Sequence, residues 1–405
     1  MKYVGIDIGK EFHVTGILDD TNTFAKHLKF NNLYPGYQKF LSYLENNLVT
    51  QQDCIIGLEA TGHYWLPLFQ KLKEDHWRVF VLNPLQVQSF RNEKIRGSKT
   101  DDLDCELIAK VLKFGVGKET ALPDEALFGL KQLSRFRWDL VRRTSSTKLE
   151  LLSVLDTLFP EYQTVFKKVF GKTSVSVLSE YTTPDEIASL DVGLLTQRLE
   201  KTSRKKFRRE TAEKLQYMAK NTFGLKFGID ALSLQMKMLT SQIQHLTEQR
   251  DQVEEKIIGI VKKQQTQLLT IPGISYVTAG TILGETVGFY KKQEKDPRSL
   301  LAFSGLDPVL KNSGKFAGKV KMSKRGSPYL RYALMQSAMV ASNFDDGFKK
   351  IYERYKSQGK HHRVAVSHVA VKLTFVVHSV MRTNKAYVPL IEYRTAHARK
   401  SQQLS

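Results

Sequence analysis

The sequence contains little cysteine: among 405 residues there are only Cys54 and Cys105. Two cysteines cannot build a disulfide framework, and they lack the clustered spacing of a zinc site. No apolar run approaches the roughly 20 residues that span a bilayer, and the first residues lack the pattern of a signal peptide. We therefore expect a reducing, cytoplasmic setting and no membrane.

Acidic residues are also scarce relative to basic ones, with 41 Asp and Glu against 62 Lys and Arg, which gives a net charge of +21. Residues 1–120 carry 15 basic and 15 acidic side chains, so the whole positive excess lies in the rest of the chain. Such asymmetry suggests a polyanionic partner, with nucleic acid favoured over a membrane surface. The length allows two or three domains.

The first part of the chain alternates between short apolar strands and amphipathic helices. The predicted elements are strands at 2–9, 13–18, 23–30, 53–58 and 78–82, and helices at 34–47 and 64–74. Three consecutive strands followed by alternating helices and strands indicate an α/β domain with a mixed sheet.

A basic, glycine-containing loop leads into another amphipathic helix within residues 96–112. Asp101 and Asp104 lie three residues apart and therefore project from the same side of this helix, with Asp102 beside them. Acids are common at helix N-termini because the helix dipole favours them there. Their mutual repulsion equally fits a bound divalent cation, so this stretch alone leaves both explanations open.

Two further acids favour the cation. Asp7 lies inside an apolar strand, where a lone charge is costly unless it is paired or bound to metal. Glu59 directly follows the strand at 53–58. In open α/β sheets chemistry gathers at strand ends, so we predict that Asp7, Glu59, Asp101 and Asp104 converge. Four carboxylates fit Mg²⁺-assisted phosphoryl transfer.

Three motifs in the same region resemble those of a known family. Residues 4–10 read Val-Gly-Ile-Asp-Ile-Gly-Lys, residues 58–62 read Leu-Glu-Ala-Thr-Gly, and residues 99–104 read Lys-Thr-Asp-x-x-Asp. Together they resemble the DEDD-type insertion-sequence transposases, which are RuvC-like recombinases associated with a bridge RNA and related to pilin-gene invertases. The resemblance implies an RNase H-like (RuvC-like) domain whose four acids hold Mg²⁺.

The first motif alone is also typical of actin-fold kinases, but no second phosphate loop or adenosine motif follows it. A kinase would also leave the net charge of +21 unexplained. A pure RNA-binding module would leave the four acids unexplained.

The middle of the chain is predicted to be helical. Residues 127–159 form an amphipathic segment that ends before Pro160, and residues 229–260 carry apolar side chains in steps of three and four, with an interruption at Arg250. That heptad pattern predicts a coiled coil or helical hairpin. Its partner is either residues 127–159 in antiparallel orientation or a second protomer. The basic cluster at 204–209 fits either a solvated helix face or phosphate contacts.

The C-terminal part is predicted to be mainly α-helical, with helices at 329–341 and 365–382. Pro272, Gly273 and Ile274 separate two short apolar segments, which predicts a helix-hairpin-helix whose backbone N–H groups reach a DNA phosphate. An ordinary tight turn is the alternative.

Residues 300–308, 311–315 and 319–331 are similar to the C-terminal domain of the same family, which implies a serine nucleophile. By position that serine is Ser313, although Asn312 departs from the family pattern of two serines and two glycines. Ser304 is the chief rival, and Ser323 and Ser327 are also near. A serine hydroxyl needs a base or metal for activation, and the neighbouring lysines offer none, so the acids of the first domain would have to act on the same phosphate.

The sequence thus predicts a RuvC-like domain at 1–122, a coiled-coil region at 123–264, a transposase domain at 265–390 and a frayed tail at 391–405. The expected function is transposition by serine attack with Mg²⁺, and the alternative is a junction endonuclease that uses water. Expected partners are donor and target DNA, a bridge RNA and further copies in a dimer or tetramer, in a nucleoid-associated setting of a prokaryotic cell. The residues predicted to contact nucleic acid are Lys99, Arg135, Arg142, Arg143, Gly273, Lys324 and Arg325.

Overall fold

The computed structural model divides the chain into two units, Met1–Pro123 and Asp124–Ser405. It describes residues 1–60, 62–91, 101–204, 206–287, 289, 296–309, 312–313, 316–317 and 321–389. The predicted contact residue Lys99 and the predicted tail at 391–405 lie outside the described residues. Each unit has its own hydrophobic core.

The first unit is built on a five-stranded sheet with the order β3-β2-β1-β4-β5. Its strands are β1 Lys2–Ile8, β2 Phe12–Leu18, β3 Leu28–Asn31, β4 Cys54–Glu59 and β5 Val79–Leu82. The first three strands are antiparallel, whereas β1, β4 and β5 run parallel to one another. The predicted mixed sheet is therefore confirmed.

One predicted strand was too long, because β3 begins at Leu28 rather than at residue 23. The carboxylate of Asp19 accepts hydrogen bonds from the Thr21 hydroxyl and the Thr23 N–H, which closes a tight turn. Beyond that turn only one isolated bridge, from Phe24 to Leu18, forms before β3. The side-chain turn competes with the ladder for the backbone groups.

Helices cover both faces of the sheet. They are α1 Tyr34–Asn46, α2 Trp65–Glu74, α3 Pro84–Arg91 and α4 Asp101–Lys113. One face packs Ile6 and Leu58 with Phe40 of α1 and Leu72 of α2. The opposite face packs residues of α3 and α4 against the sheet, with Ile108 at the centre. The alternation along β1 and β4 therefore decides which side chains face α4.

The second unit is organised around two long helices, α5 Glu125–Leu158 and α11 Ile229–Lys263. Each spans about 50 Å at 1.5 Å per residue. Leu130 near the start of α5 shares a core with Val261 near the end of α11, and Leu155 shares another with Met236. The helices are therefore antiparallel, and the heptad seam has its partner within the chain, as in the first of the two predicted alternatives.

Five short helices connect α5 to α11. They pack at the end of the long helix pair that contains Leu155. They are α6 Tyr162–Val165, α7 Lys172–Leu178, α8 Pro184–Ala188, α9 Val192–Ser203 and α10 Arg209–Lys220. The basic cluster at 204–209 lies where α9 ends and α10 begins, with Arg204 in the left-handed region at φ +53°. Of its described residues, only Arg209 lies within a helix.

The C-terminal core lies at the other end of the long pair. A 3₁₀ turn at Gln267–Thr270 precedes α12 Tyr276–Glu285, α13 Pro297–Ser304, α14 Pro328–Phe344, α15 Asp346–Ser357 and α16 His362–Thr383. Helix α16 is long and apolar enough to cross a membrane by composition. Its residues Val369, Leu373 and Val377 are buried in the core that it shares with α14, so packing accounts for its hydropathy.

Glycine lets α12 pack directly on the backbone of α5. A Cβ on Gly284 would lie 2.5 Å from the backbone N of Lys131, which is closer than real Cβ contacts. A Cβ on Gly129, inside α5, would meet nothing within 4 Å. Both glycines therefore lie in helices, but Gly284 is closely packed whereas Gly129 faces open space.

We expect Gly284→Ala to lower the free energy of unfolding of the second unit by about 1–3 kcal/mol, because α12 must move away from α5. Gly129→Ala should raise it by about 0.5–1 kcal/mol, because alanine lowers the entropy cost of an open helical site. Denaturant unfolding followed by circular dichroism measures both, and a shift of the same sign for the two variants would contradict the packing described here.

Candidate active site

Helix α4 packs its backbone directly on β1 at Gly5, and at Gly57 of β4 the absence of a side chain makes room for side chains of the helix. A Cβ on Gly5 of β1 would lie 2.0 Å from the carbonyl O of Cys105 and 2.7 Å from the N of Ala109. A Cβ on Gly57 of β4 would lie 2.9 Å from Cγ2 of Ile108. The backbone of α4 therefore lies closer to β1 than any side chain in place of Gly5 would allow.

The direction of α4 follows from a contact at its C-terminus. Lys113 Nζ donates to the carbonyl oxygens of Asp19 and Asp20, each at 2.9 Å, in the turn after β2. That turn adjoins Leu18, which pairs with Tyr3 at the start of β1. The end of α4 thus lies at the start of β1, and its N-terminus points towards the carboxyl end of that strand.

Asp7 and Glu59 project from the same face of the sheet and near the same edge. Ile6 of β1 pairs in parallel register with Leu58 of β4, and the two acids each follow one residue later. Gly5 faces α4, so Asp7, two residues further along the pleat, faces the same side. Glu59 follows Gly57 in the same way, and both acids therefore project on the side of α4.

The two aspartates of α4 belong to the first turn of the helix, at the end nearest that edge. Asp101 precedes Cys105 by four residues and Asp104 precedes Ile108 by four, so each lies one helical turn before a residue that contacts the sheet. Four helical residues advance about 6 Å, and two strand residues from Gly5 to Asp7 advance about 7 Å. Helix α4 is antiparallel to β1. Moving back along the helix from Cys105 to Asp101 therefore leads in the same direction as moving forward along the strand from Gly5 to Asp7.

Asp7 and Glu59 share an edge and a face of the sheet, but the described side chains do not form a complete set of metal ligands. Asp104 is nearly buried, with 9% of its surface exposed, and Asp7 and Glu59 are partly buried. The side chain of Asp101 lies outside the described residues, and among those described no group of three or more His, Cys, Asp or Glu is arranged to hold a metal ion. Carboxylate oxygens are nonetheless the donors that Mg²⁺ prefers.

Ser313 lies in the segment between α13 and α14, which we call the serine segment (residues 305–327). Short strands β7 Asn312–Ser313 and β8 Phe316–Ala317 pair antiparallel, with Ser313 opposite Phe316. In sequence they lie within the pair β6 Pro308–Val309 and β9 Lys321–Met322. The structure describes the backbone position of Ser313 in β7 but not its side chain.

The two ends of the serine segment are joined by close backbone contacts. Ser323 N–H donates to the carbonyl of Asp307 at 2.9 Å, and the Ser323 hydroxyl donates to the Asp307 carboxylate. Lys324 N–H donates to the carbonyl of Gly305 at 3.0 Å. A Cβ on Gly326 would lie 2.0 Å from the carbonyl O of Phe303, so only glycine allows this approach.

The rival nucleophile Ser304 is fully buried, with 0% of its surface exposed. Its hydroxyl donates to the carbonyl of Leu301 at 2.7 Å within α13. The carbonyl of Ser304 in turn accepts from Arg331 at 3.1 Å. In this arrangement Ser304 connects α13 to α14 and its oxygen has no access to solvent.

Sequence reasoning missed one buried acid, Glu285 at the end of α12. Its carboxylate accepts two hydrogen bonds from Arg135 of α5, at 2.6 and 3.0 Å, and one from the Ser327 hydroxyl at 2.8 Å. Ser327 also caps α14 by accepting from the Leu330 N–H. A lone acid in an apolar helix is the same signal that selected Asp7, and it would have found Glu285.

This network occupies Arg135, one of the residues predicted to contact nucleic acid. The Arg135 guanidinium, bound to Glu285, also lies 4.7 Å from the ring centre of Tyr329. The hydrogen bonds to Glu285 raise the pKa of Arg135, and burial opposes them. Two of its nitrogens are therefore already engaged, and its structural role is to join α5 to α12.

The other predicted contact residues differ in their surroundings. Arg142, Arg143, Lys324 and Arg325 are exposed, and Arg142 lies 4.7 Å from the ring centre of Trp138. Gly273, at φ +88°, is packed so closely on α14 that a Cβ would lie 2.3 Å from the carbonyl O of Ser337. Because its first arm is a single 3₁₀ turn, the helix-hairpin-helix stays a prediction.

Removing the Glu285 carboxylate should cost about 2–3 kcal/mol of unfolding free energy, because Arg135 and Ser327 lose their buried partner. The exposed pair Arg209–Glu213 has nearly the same N–O distance, 2.7 Å. Glu213→Ala is therefore the matched control and should cost less than about 0.5 kcal/mol. Denaturant unfolding of Glu285→Ala and Glu213→Ala compares them, and equal effects would contradict a special role for Glu285.

Two family models match the chain. A model of the DEDD type of IS110, described as a transposase, matches residues 4–160, and one described as the transposase IS116/IS110/IS902 family matches residues 265–353. The first range contains Asp7, Glu59, Asp101 and Asp104, and the second contains Ser313. The matches thus fall on the two regions whose geometry is described above.

Curated relatives agree with these models. The uncharacterized 43.6 kDa protein of insertion element IS110 from Streptomyces coelicolor is 22% identical over 95% of each chain. The uncharacterized 44.8 kDa protein of IS116 from Streptomyces clavuligerus is 24% identical over 96% of each. The pilin gene-inverting protein of Moraxella bovis is 28% identical over 27% of this chain and 33% of its own length. The chain belongs to the IS110/IS116/IS902 family of transposases, enzymes that cut and join DNA.

Proposed function

We propose that this transposase recombines DNA at specific sites through attack by Ser313, with Mg²⁺ held by Asp7, Glu59, Asp101 and Asp104. The observation that carries the proposal is the common edge. Asp7 and Glu59 lie on one face of the sheet, and the N-terminus of α4 points towards the same end. Strand ends of open α/β sheets are where such chemistry collects.

The sheet supports an RNase H-like, RuvC-like identity for the first unit. Its first three strands are antiparallel, the next two are parallel to β1, and helices lie on both faces. The acids occupy the middle strand β1, its neighbour β4 and a helix packed on both. This is the arrangement that the DEDD resemblance implies.

The donor set fits a hard divalent cation. When bound, Mg²⁺ would neutralise charge on the scissile phosphate and stabilise the attacking and leaving oxygens. The acids themselves supply negative oxygens, and α4 packs so closely on β1 that a Cβ on Gly5 would overlap the helix backbone. The set needs Asp101 in addition to the three acids whose side chains are described.

The serine step exchanges one phosphate ester for another, so the energy of the broken phosphodiester bond stays available for rejoining the DNA. The Ser313 oxygen forms a bond to phosphorus and loses its proton, while one phosphorus–oxygen ester bond of the strand breaks and the released sugar oxygen takes up a proton. The resulting phosphoserine ester can be attacked by another sugar hydroxyl, which restores the serine and joins a new strand. Such covalent catalysis divides one difficult exchange into two easier ones.

The surroundings of the other serines support the choice of Ser313. Ser304 is buried and donates within its own helix. Ser323 donates to Asp307, and Ser327 donates to Glu285 and caps α14. These three hydroxyls hold the base of the serine segment together, whereas Ser313 belongs to the inner strand pair away from that base.

The second unit supplies the surface for nucleic acid. The sequence beyond residue 120 carries the whole net charge of +21, and exposed Arg142, Arg143, Lys324 and Arg325 are free to meet phosphates. We assign donor and target DNA to this surface. A bridge RNA, assembly into a dimer or tetramer and a place at the bacterial nucleoid follow from the family resemblance.

A strand-transfer assay with Mg²⁺ and DNA tests the proposal. Asp104→Asn, which keeps the shape and removes the charge, should abolish transfer, and so should Ser313→Ala. Both should bind DNA with nearly unchanged affinity, because neither position contributes a cation. Ser304→Ala is the control: it removes a buried hydroxyl and should lower stability by about 1 kcal/mol while leaving transfer active.

Two outcomes would contradict the assignment. Transfer by Ser313→Ala together with loss in a folded Ser304→Ala would move the nucleophile to Ser304. Metal-dependent cleavage by Ser313→Ala, with no protein–DNA adduct in the wild-type reaction, would indicate a RuvC-like junction endonuclease that uses water.

A further inference from the structure

Three aromatic side chains are exposed at the end of the long helix pair that contains Leu155. Tyr217 lies in the last turn of α10, and Phe223 and Phe227 lie in the loop between α10 and α11. Their exposed fractions are 64%, 92% and 75%, and no other large apolar side chain that the structure describes is as exposed as Phe223. Exposed apolar surface concentrated in one place marks an interaction site. We call these three residues the aromatic triad.

The rings of the triad have no aromatic partner within the part of the chain that the structure describes. Ring contacts in the same lobe involve other residues, such as Phe166 and Phe207, whose centres lie 5.4 Å apart. The nearest cation–ring contact along the chain places Arg198 over Tyr181. The rings of the triad are therefore available to a flat partner from outside.

The loop that carries Phe223 is held closely to the end of α5. The Glu161 carboxylate accepts from the Thr222 hydroxyl at 2.7 Å and from the Phe223 N–H at 2.9 Å. A Cβ on Gly224 would lie 1.9 Å from the carbonyl O of Leu158, so the loop backbone lies directly on the helix end. A ring on such an anchored loop is already ordered, which lowers the entropy cost of binding a partner.

Lysines alternate with the rings. At intervals of three residues the chain reads Lys214, Tyr217, Lys220, Phe223 and Lys226, and Phe227 comes next. The three lysines are exposed, and none forms an ion pair with a described residue, since the adjacent Glu213 is paired with Arg209. The sequence has no Asp or Glu between Lys214 and Gly228. The triad therefore lies in a basic segment.

Rings and cations in alternation are the two groups that a single strand of nucleic acid requires. Its bases stack on aromatic faces, and its phosphates attract lysine. A duplex hides the faces of its bases and has no use for the rings. A second copy of this chain would bring lysines of the same charge together, which is unfavourable. The charge thus favours a polyanion, and the rings favour an unpaired one.

We propose that the aromatic triad and its three lysines bind an unpaired stretch of nucleic acid. Bases would stack on Phe223 and its neighbours while the backbone passes the lysines. RNA and single-stranded DNA share this chemistry, so the arms of the experiment identify the source. The inference rests on the proposed function only in taking nucleic acid as the partner.

The surface is remote from the serine segment. Leu158 lies beside the loop, and Leu130 lies in the C-terminal core at the other end of α5, about 40 Å away at 1.5 Å per residue. Residues 161–264 also lie outside the two ranges that the family models match. The triad therefore anchors a strand away from the reacting phosphate and is not part of the regions that identify the family.

Photocrosslinking of the full chain locates the contact without any catalytic step. Short single strands of RNA or DNA that carry 5-iodouracil at one position are irradiated with the protein in the absence of Mg²⁺, and adducts are located by peptide mass. We expect an adduct on Tyr217, Phe223 or Phe227 with at least one of the two nucleic acids.

Fluorescence anisotropy with the same strands measures the contribution of one ring. Phe223→Ala should weaken binding about 5- to 150-fold, which corresponds to one lost stacking contact, and Phe223→Tyr should restore it. Phe344→Ala removes a ring of similar exposure, 78%, from the end of α14 and should leave the affinity unchanged. Binding of duplex DNA should be the same in all variants.

A salt series tests the lysines separately. Lys220→Gln removes one phosphate contact, so the slope of log affinity against log salt concentration should fall by about 0.7 for a single strand. An unchanged slope would exclude Lys220 from the surface.

Adducts confined to other parts of the chain, or an affinity for both single strands that Phe223→Ala leaves unchanged, would overturn the proposal. A change of oligomeric mass in Phe223→Ala, with no change of affinity, would assign the triad to a second copy instead. Ser313→Ala and Asp104→Asn should bind single strands as the wild type does, so a failure of strand transfer and a failure of strand binding are distinguishable.

Discussion

The close contact between the backbone of α4 and Gly5 of β1 brings the helix next to the strand that carries Asp7. A methyl group on Gly5 would overlap the carbonyl of Cys105, so helix and strand are held at a distance that no other residue permits. The acids of β1, β4 and α4 belong to different stretches of the chain. With the helix held close to β1, Asp7 and Glu59 face it from the carboxyl ends of neighbouring strands, as the proposed cation site requires.

Close glycine contacts perform a similar task in the second unit. Gly326 lies against the carbonyl of Phe303, and Gly284 lies against the backbone of α5. Between them, Glu285 connects Arg135 of α5 with Ser327 at the start of α14. The base of the serine segment is thus held by backbone packing and by one charge pair whose carboxylate is buried. The proposed nucleophile Ser313 lies on the short strand pair that follows from this base.

Local patterns were enough to predict most of the first unit. Strands β1, β2, β4 and β5 and the helices between them have clear apolar periodicity, whereas the ladder of β3 was overestimated because an Asx turn at Asp19 competes with it. The heptad pattern predicted α11 but left its partner open. That choice depends on contacts between residues more than a hundred positions apart, which periodicity does not contain.

Residues whose role depends on tertiary contacts were the hardest to predict. Glu285 and Arg135 are 150 positions apart, so neither suggests the other in the sequence. The sequence predicted that Gly273 approaches a DNA phosphate. In the structure it packs so closely against α14 that only a glycine fits there. Asp7 and Glu59 were found because an acid in an apolar strand is conspicuous by itself.

Iron-directed cleavage of the polypeptide tests the convergence of the acids most directly. Fe²⁺ replaces Mg²⁺ at carboxylate sites, and with ascorbate and peroxide it generates radicals that cut the backbone near the bound ion. We predict cuts close to Asp7, Glu59 and Asp104 together, all suppressed by excess Mg²⁺ and all lost in Asp104→Asn. Cuts near only one of these acids, or cuts that persist in Asp104→Asn, would contradict a shared cation site.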